Sequence, residues 1–462
     1  MKNVRLSVIV STVLTMAISA NAQTFSVLYN FGTNNGDPLN PQYEGVIAQG
    51  RDANLYSTTP NGGNQSAGAV FKMTPSGELT VLYNFDGTDS GGPYGGLTLG
   101  TDGNFYGTAS FGGTSGFGTV FKITPSGGLT VLYSFGGTSD GASPTAPPIQ
   151  GMDGNFYGTT VYGGAGFYGT VYKITPGGKF TSLHQFNLSD GYRPEAPLLV
   201  GPDGNLYGTT ESGGSNNYGT IFKITSTGSF KVLYNFDSIH GANPVGGLVQ
   251  ASDRNFYGTT MLGGASNAGV VFKITPTGVP TLLYSFNGTT DGGTPLASLV
   301  EATDGNFYGA NYSDYGTLFE ITPEGTFSVL YTFDVSTGAN PEVTPMEHTN
   351  GEIFGDSSGG GLSFGGTFYG LTLGLGPSVT LNPAFGRFQQ TIGILGQGFT
   401  GTTGVSFNGA AASFNVVSDT FLTASVPLRA TTGPVTVVTP SGTLTSNHSF
   451  QTLEVAISPQ SP

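Results

Sequence analysis

Asp102-Gly103-Asn104-Phe105-Tyr106-Gly107-Thr108 is one of six near-copies of a single phrase, whose Asn recurs at Asn54, Asn104, Asn155, Asn205, Asn255 and Asn306. The steps between these positions are 50, 51, 50, 50 and 51 residues. Self-similarity at so fixed a period means one supersecondary unit copied in tandem, each copy unable to cover its own apolar face and therefore packed on its neighbours. A seventh, eroded copy follows at Asn350-Gly351-Glu352-Ile353-Phe354-Gly355.

Outward from the phrase, the copy has four β-patterned segments: a (Gly96 to Leu99), b (Asn104 to Thr108), c (Gly118 to Thr124) and d (Leu129 to Phe135). Segment length, β-branched and aromatic enrichment and the alternation in c predict antiparallel strands, with no helical period. Asp102-Gly103 between a and b predicts a type I′ hairpin, and Pro125-Ser126-Gly127 another tight turn between c and d. A four-stranded meander of about 50 residues repeated around an axis is a β-propeller, which leaves only short edges. Segment c occurs seven times, ending at Thr367-Phe368-Tyr369, and segment d also occurs seven times. The first d, Val27-Leu28-Tyr29-Asn30-Phe31, precedes any a, b or c, and the last c has no d after it. The expected fold is therefore all-β: a seven-bladed β-propeller over 23–375, its N-terminal strand closing the last blade.

The two ends differ from the repeats. Lys2 and Arg5, an apolar run from Leu6 to Ile18 and Ala20-Asn21-Ala22 predict a secretory signal peptide over 1–22 and export to the cell envelope or beyond. No apolar run reaches the roughly 20 residues of a membrane helix. Without Lys2 and Arg5, 12 basic residues face 28 acidic ones, a formal charge of −16 that repels nucleic acid. The chain has no Cys, so disulfides, thiolate metal sites and Cys nucleophiles are excluded. After Leu375-Gly376-Pro377 the period stops, and short strand-like runs with turns every 8 to 12 residues predict a small immunoglobulin-like β-sandwich over 376–453, followed by a polar tail, 454–462.

Two resemblances accompany this reading. Asn382-Pro383, Gly396-Gln397-Gly398-Phe399, Val405-Ser406-Phe407-Asn408-Gly409, Val426-Pro427 and Gly433-Pro434-Val435-Thr436-Val437 resemble the IPT/TIG immunoglobulin-like domain. The DGN(F/L)YGT block, the Gly-Gly after it and G(T)V(F/Y)KIT leading into VLY(N/S)F resemble the Gloeo/Verruco tandem repeat of secreted bacterial proteins, over residues 24–372. That resemblance implies an architecture and no particular activity. The Gly-Gly also gives a looser likeness to kelch propellers, although Phe31, Phe85, Phe135 and their counterparts stand where kelch repeats carry Trp.

Candidate chemistry is sparse. Each Asp-Gly-Asn supplies one carboxylate to a turn, short of the several oxygens a calcium loop needs, so no metal or cofactor is expected. The Tyr of segment b (Tyr56, Tyr106, Tyr157, Tyr207, Tyr257, Tyr308) suits a wedge between blades. The Lys of segment c suits a strand with its charge in solvent. The only His residues are His184, His240, His348 and His448, none in a nucleophile-elbow context. Glu44, Glu195, Glu301 and Glu342 share no evident repeat position. Function is expected on the variable loops, where a rigid scaffold presents it. The b–c loops offer Phe111, Phe117, Tyr162, Phe167, Tyr168, Tyr218, Tyr312 and Tyr315; the d–a loops offer Asp140, Asp190, His240 and Asp291, with Asp89 beside them. The expected function is a non-catalytic binding or envelope-scaffold protein, recognising polysaccharide or a surface protein; the alternative is a carbohydrate-active hydrolase or lyase with carboxylates at the propeller mouth.

Overall fold

In the computed structural model, residues 23–42, 45–88 and 90–453 are described. The expected signal segment, the polar tail, Glu44 and Asp89 lie outside them. The described chain is all-β, built mainly from four-stranded antiparallel sheets. Seven such sheets come from residues 24–372 among the described residues. In the second copy the strands are Thr98–Leu99, Phe105–Ala109, Thr119–Ile123 and Leu129–Ser134, in that spatial order. The last sheet borrows its fourth strand: Thr24–Asn30 pairs antiparallel with Thr367–Thr372, running from Thr24↔Thr372 to Asn30↔Thr367.

Packing runs from sheet to sheet in a closed series. Tyr106, Val120 and Phe135 of one sheet meet Phe156, Tyr172 and Ile174 of the next. Equivalent clusters join every successive pair, and the last joins Phe354 and Phe368 back to Leu55, Phe71 and Met73 of the first complete copy, with Phe31 among them. The wedges are aromatic, as in the stacking of Tyr106 on Phe156 with centroids 3.7 Å apart. A bulge falls at the same place in each c–d pair, as between Val120 and Phe121 or Val171 and Tyr172. A repeated bulge bends and twists the outer strand in the same way each time.

The a–b turn differs from the expected type I′. Gly103 donates to the Gly100 carbonyl (2.9 Å) and Gly100 to the Asn104 carbonyl (2.8 Å), with only Gly103 of the turn at positive φ, 85°. That is a type I turn closed by one left-handed residue, the three-residue hairpin loop with a bulge. The Asp side chain explains the motif. Asp102 accepts from the Asn104 backbone N–H (3.0 Å), from Asn104 Nδ2 (2.7 Å) and from the Tyr106 hydroxyl (2.9 Å). One carboxylate thus satisfies the turn, the Asn and the buried Tyr together.

The strand-c lysines are not simply solvated. Lys173, Lys223 and Lys273 reach Asp153, Asp203 and Asp253 at 2.7, 2.6 and 2.6 Å. Partial burial would raise these carboxyls, but hydrogen bonds from the Lys, Asn and Tyr outweigh it and hold each at about 2. A carboxyl depressed below its unfolded value stabilises the fold above that value, and the stabilisation is lost as pH falls through the folded one. The triple variant Asp153→Asn, Asp203→Asn, Asp253→Asn is expected to be less stable at neutral pH and to show a flatter decline of stability between about pH 4 and pH 2. Urea unfolding at stepped pH checks this, and an unchanged acid limb would refute it.

Beyond residue 377 two further four-stranded sheets share one core. Leu381, Ile392, Ile394 and Leu422 come from one, Val405, Phe407, Val435 and Val437 from the other. This module rests on the a–b turns of the repeats. Asn382 Nδ2 donates to the Leu99 carbonyl (3.2 Å), the Thr420 hydroxyl to the Arg51 carbonyl (2.7 Å), and the Arg51 guanidinium lies 4.4 Å from the Phe421 ring centroid. One end of the sheet series is therefore covered, and the b–c and d–a loops form the other. Among the described residues no helix is long and apolar enough to cross a membrane.

Candidate functional site

Every d–a loop contains an x-Pro-y tripeptide, with prolines at Pro41, Pro93, Pro144, Pro194, Pro244, Pro295 and Pro341. The x residues are Asn40, Gly92, Ser143, Arg193, Asn243, Thr294 and Asn340, all left-handed with φ between 51° and 60°. Position y reads Gln42, Tyr94, Thr145, Glu195, Val245, Leu296 and Glu342. A residue before Pro ordinarily adopts extended backbone, so a left-handed x must be held by its surroundings. Arg193 donates its N–H to the Tyr168 carbonyl (3.2 Å), and its own carbonyl accepts from Glu211 N–H (3.0 Å). Asn243 and Met261 (2.9 Å) and Asn340 and Ser358 (3.0 Å) repeat the second bond. The residue after strand b is thereby brought beside x and y at the open end.

The first glycine of each strand-c segment sets the proline. Gly169 has φ 101°, and a Cβ there would lie 2.5 Å from the Thr160 carbonyl oxygen and 2.6 Å from Pro194 Cδ. Gly169→Ala is expected to cost about 1–3 kcal/mol, through left-handed strain and this double clash. It would also push Pro194, and with it Arg193 and Glu195. A lowered melting temperature checks the first effect; an unaltered one would show that the loop yields freely.

At the x-Pro-y of the fourth d–a loop, Arg193-Pro194-Glu195, charge gathers. Arg193 Nη2 lies 2.7 Å from Glu195 Oε1 and Nη1 lies 2.8 Å from Glu211 Oε2. Arg193 Nε has no hydrogen-bond partner among the described residues. Glu195 is only 6% exposed. Burial pushes its carboxyl up, the Glu211 charge adds to this, and Arg193 opposes without cancelling, leaving Glu195 at about 7. Glu211 is also raised by burial against the pull of Arg193. These groups border two clefts. One, of about 340 Å³, is lined by Arg193, Glu195, Glu211, Glu342, Gln42, Val245, Met261, Leu296 and Tyr312. The other, of about 220 Å³, adds Tyr94, Ser110, Ser143, Thr145, Val161 and Tyr162. Glu342 accepts from the Ser358 hydroxyl (2.9 Å), and buried Asp356 is driven well above the usual carboxylate range by desolvation and the nearby Glu342. A larger cleft of about 470 Å³ lies at the opposite end, between the a–b turns and the two-sheet module, and contains His448.

The loop residues expected from the sequence distribute unevenly. Tyr162 and Tyr312 line these clefts. Phe111 and Phe117 lie against loop glycines: a Cβ at Gly91 or Gly137 would meet their rings within 2.5 Å. Tyr168 packs edge-on to Tyr192, with centroids 5.4 Å apart. Phe167, Tyr218 and Tyr315 are exposed on the b–c loops. The acidic positions close their own turns. Asp140 accepts from the Tyr133 hydroxyl (3.0 Å), Asp291 from that of Tyr284 (2.7 Å), and Asp190 from Asn187 Nδ2 (2.7 Å). His240 Nδ1 lies 2.8 Å from Asp237. Glu195 and Glu342 do share a repeat position, the residue after the loop Pro, and that proline was the available signal.

Known proteins complete the picture. No curated protein matches the chain. The chain is similar to a solved gluconolactonase from Xanthomonas campestris (11% identity, 76% of this chain and 90% of that one, TM-score 0.39). It is also similar to a protein of unknown function from Bacteroides thetaiotaomicron (16%, 76% and 76%, TM-score 0.43) and to a provisionally named 6-phosphogluconolactonase from Bacteroides uniformis (15%, 62% and 83%, TM-score 0.44). The expectation of a non-catalytic binding or scaffold protein is corrected on this point: two of these neighbours are named for lactone hydrolases, and no binding function accompanies them. The Gloeobacter/Verrucomicrobia repeat matches residues 12–149 and 137–314, more than half of the 462 residues. The chain belongs to the Gloeobacter/Verrucomicrobia repeat family.

Proposed function

We propose that this protein is a hydrolase that cleaves an ester or lactone bond at the open mouth of its sheet series, with Glu195 as the proton-transfer group. The observation that carries the reading is a buried carboxyl at about 7, held 2.7 Å from Arg193 at the wall of an open cleft. A general base is most effective when its pKa lies near the working pH, and perturbed carboxyls in clefts mark functional sites. Ionised Glu195 takes a proton from water as the oxygen attacks the carbonyl carbon. The Arg193 guanidinium at the cleft wall stabilises the oxyanion that forms through its positive charge. When the tetrahedral intermediate collapses, protonated Glu195 returns its proton to the leaving alkoxide, giving an acid and an alcohol. Tyr162 and Tyr312 serve as rim contacts for the substrate.

The same reading takes residues 24–372 as a seven-bladed propeller and residues 376–453 as an immunoglobulin-like IPT/TIG domain that closes the far end. The closed series of inter-sheet clusters and the shared core of the two later sheets support it. Export under the 1–22 segment is part of the proposal. A panel of neutral esters and lactones assayed from pH 5 to pH 9 tests the function. The expected result is turnover whose kcat/KM rises with ionisation of one group near pH 7; absence of turnover across the panel would contradict it.

A further inference from the structure

The mouth is not uniform around its circumference. In chain order, position y carries Glu195, then Val245 and Leu296, then Glu342, so an apolar arc separates two acids. Position z, the residue after strand b, deepens the pattern: Met261 and Tyr312 stand where other copies carry Ser110 or Ser358. Val245 is buried, Leu296 and Met261 half-buried, and Tyr312 exposed at the rim. Each lines the cleft of about 340 Å³ that holds Arg193 and Glu195. Nothing in the fold demands this composition, because the same two positions elsewhere in the repeats are filled by Gln42, Tyr94, Thr145 or Ser110. Charge adds a second restriction. Glu195, Glu211 and Glu342 share the cleft with one cation, Arg193, which is already engaged by two of them. A further negative charge would meet net repulsion in a partly desolvated space.

Building on the hydrolase reading, we infer that the substrate carries a compact apolar group, aryl or branched alkyl, seated on Val245, Met261, Leu296 and Tyr312, and bears no negative charge beside the bond that is cleaved. A polyol lactone would place hydroxyls against this arc without partners and lose affinity accordingly. Burying a ring there contributes through the area it removes from water.

The test compares three probes on the full chain at pH 8: phenyl acetate, 4-carboxyphenyl acetate and glucono-1,5-lactone. Phenyl acetate is expected to show a KM about tenfold below that of the polyol lactone, and the carboxylated ester a kcat/KM about tenfold below phenyl acetate, a tenfold step being about 1.4 kcal/mol. Met261→Ser and Leu296→Gln, each with an unchanged melting curve, are expected to raise KM for phenyl acetate about tenfold with kcat kept. Preference for the polyol lactone, or no KM response in either variant, overturns the apolar subsite while leaving hydrolysis in place. Phenyl acetate that binds, by chemical-shift perturbation of Met261, but is not turned over supports the subsite and refutes the hydrolase. Neither binding nor turnover refutes both.

Discussion

A chain lacking residues 23–31 is expected to lose the cooperative melting transition of its repeat sheets, while the two-sheet module beyond residue 377 keeps its own core. The strand Thr24–Asn30 supplies the only partner of the outer edge of Thr367–Thr372 among the described residues, and Phe31 N–H donates to the Gly366 carbonyl at 3.0 Å. Its side chains face both neighbours. Phe31 is fully buried against Phe71 and the first complete sheet. Phe25 stacks on Tyr331 of the preceding sheet at 3.7 Å and packs with Phe333. Losing two such aromatics costs roughly 3–5 kcal/mol each, already comparable to the whole stability of a typical domain of about 5–15 kcal/mol. An open, flat edge also invites intermolecular pairing. Calorimetry of the truncated chain checks the effect, and adding the peptide 23–31 in trans is expected to restore the transition. A truncated chain that melts like the parent would mean that the series of sheets is stable unclosed.

The second large effect concerns Glu195→Gln. The variant keeps the shape of the side chain and removes the proton carrier, so kcat on an ester substrate is expected to fall by about 10²–10⁴ with little change in binding. Stability gives an independent reading. Glu195 has a folded value of about 7 against an ordinary 4.5, so its protonated form favours the fold below 4.5 and that contribution is lost as pH rises to 7. Each unit corresponds to about 1.4 kcal/mol, so a decline of roughly 3 kcal/mol across this window belongs to Glu195 and is absent from the variant. Raised carboxyls outside the Arg193 cluster, such as Glu347, decline in both proteins and drop out of the difference. Parallel pH–stability curves for the two proteins would place Glu195 among ordinary carboxyls.

The architecture was legible because it is written many times. Asp102, Asn104 and Tyr106 recur together since one carboxylate holds all three, and that necessity imposes the period. The orphan d segment Val27 to Phe31 announced its pairing with Thr367–Thr372 by simple counting. The turn type was misread because Asp-Gly serves both a type I′ turn and a type I turn with one left-handed residue, and only backbone geometry separates them. The lysines of strand c were left in solvent because their carboxylate partners lie about 20 residues earlier, across a strand pair.

The site was hidden for the opposite reason. Architecture repeats, whereas Arg193, Glu195 and Glu211 occur together in one copy only, at positions where other copies carry Ser143, Thr145 and Val161. Attention to aromatic loop residues found Tyr162 and Tyr312 at the clefts, but Asp140 and Asp291 are consumed by neighbouring tyrosine hydroxyls. The recurring proline of the d–a loop aligns Glu195 with Glu342, and its neighbours read in register would have exposed both acids and the apolar arc between them.

The proposed chemistry depends above all on the ionisation of one side chain. A carbon-13 NMR titration of the glutamate carboxyls, with Glu195→Gln supplying the assignment, measures it directly. A midpoint near 7 for the Glu195 resonance is the predicted result, and a midpoint close to 4.5 would contradict it.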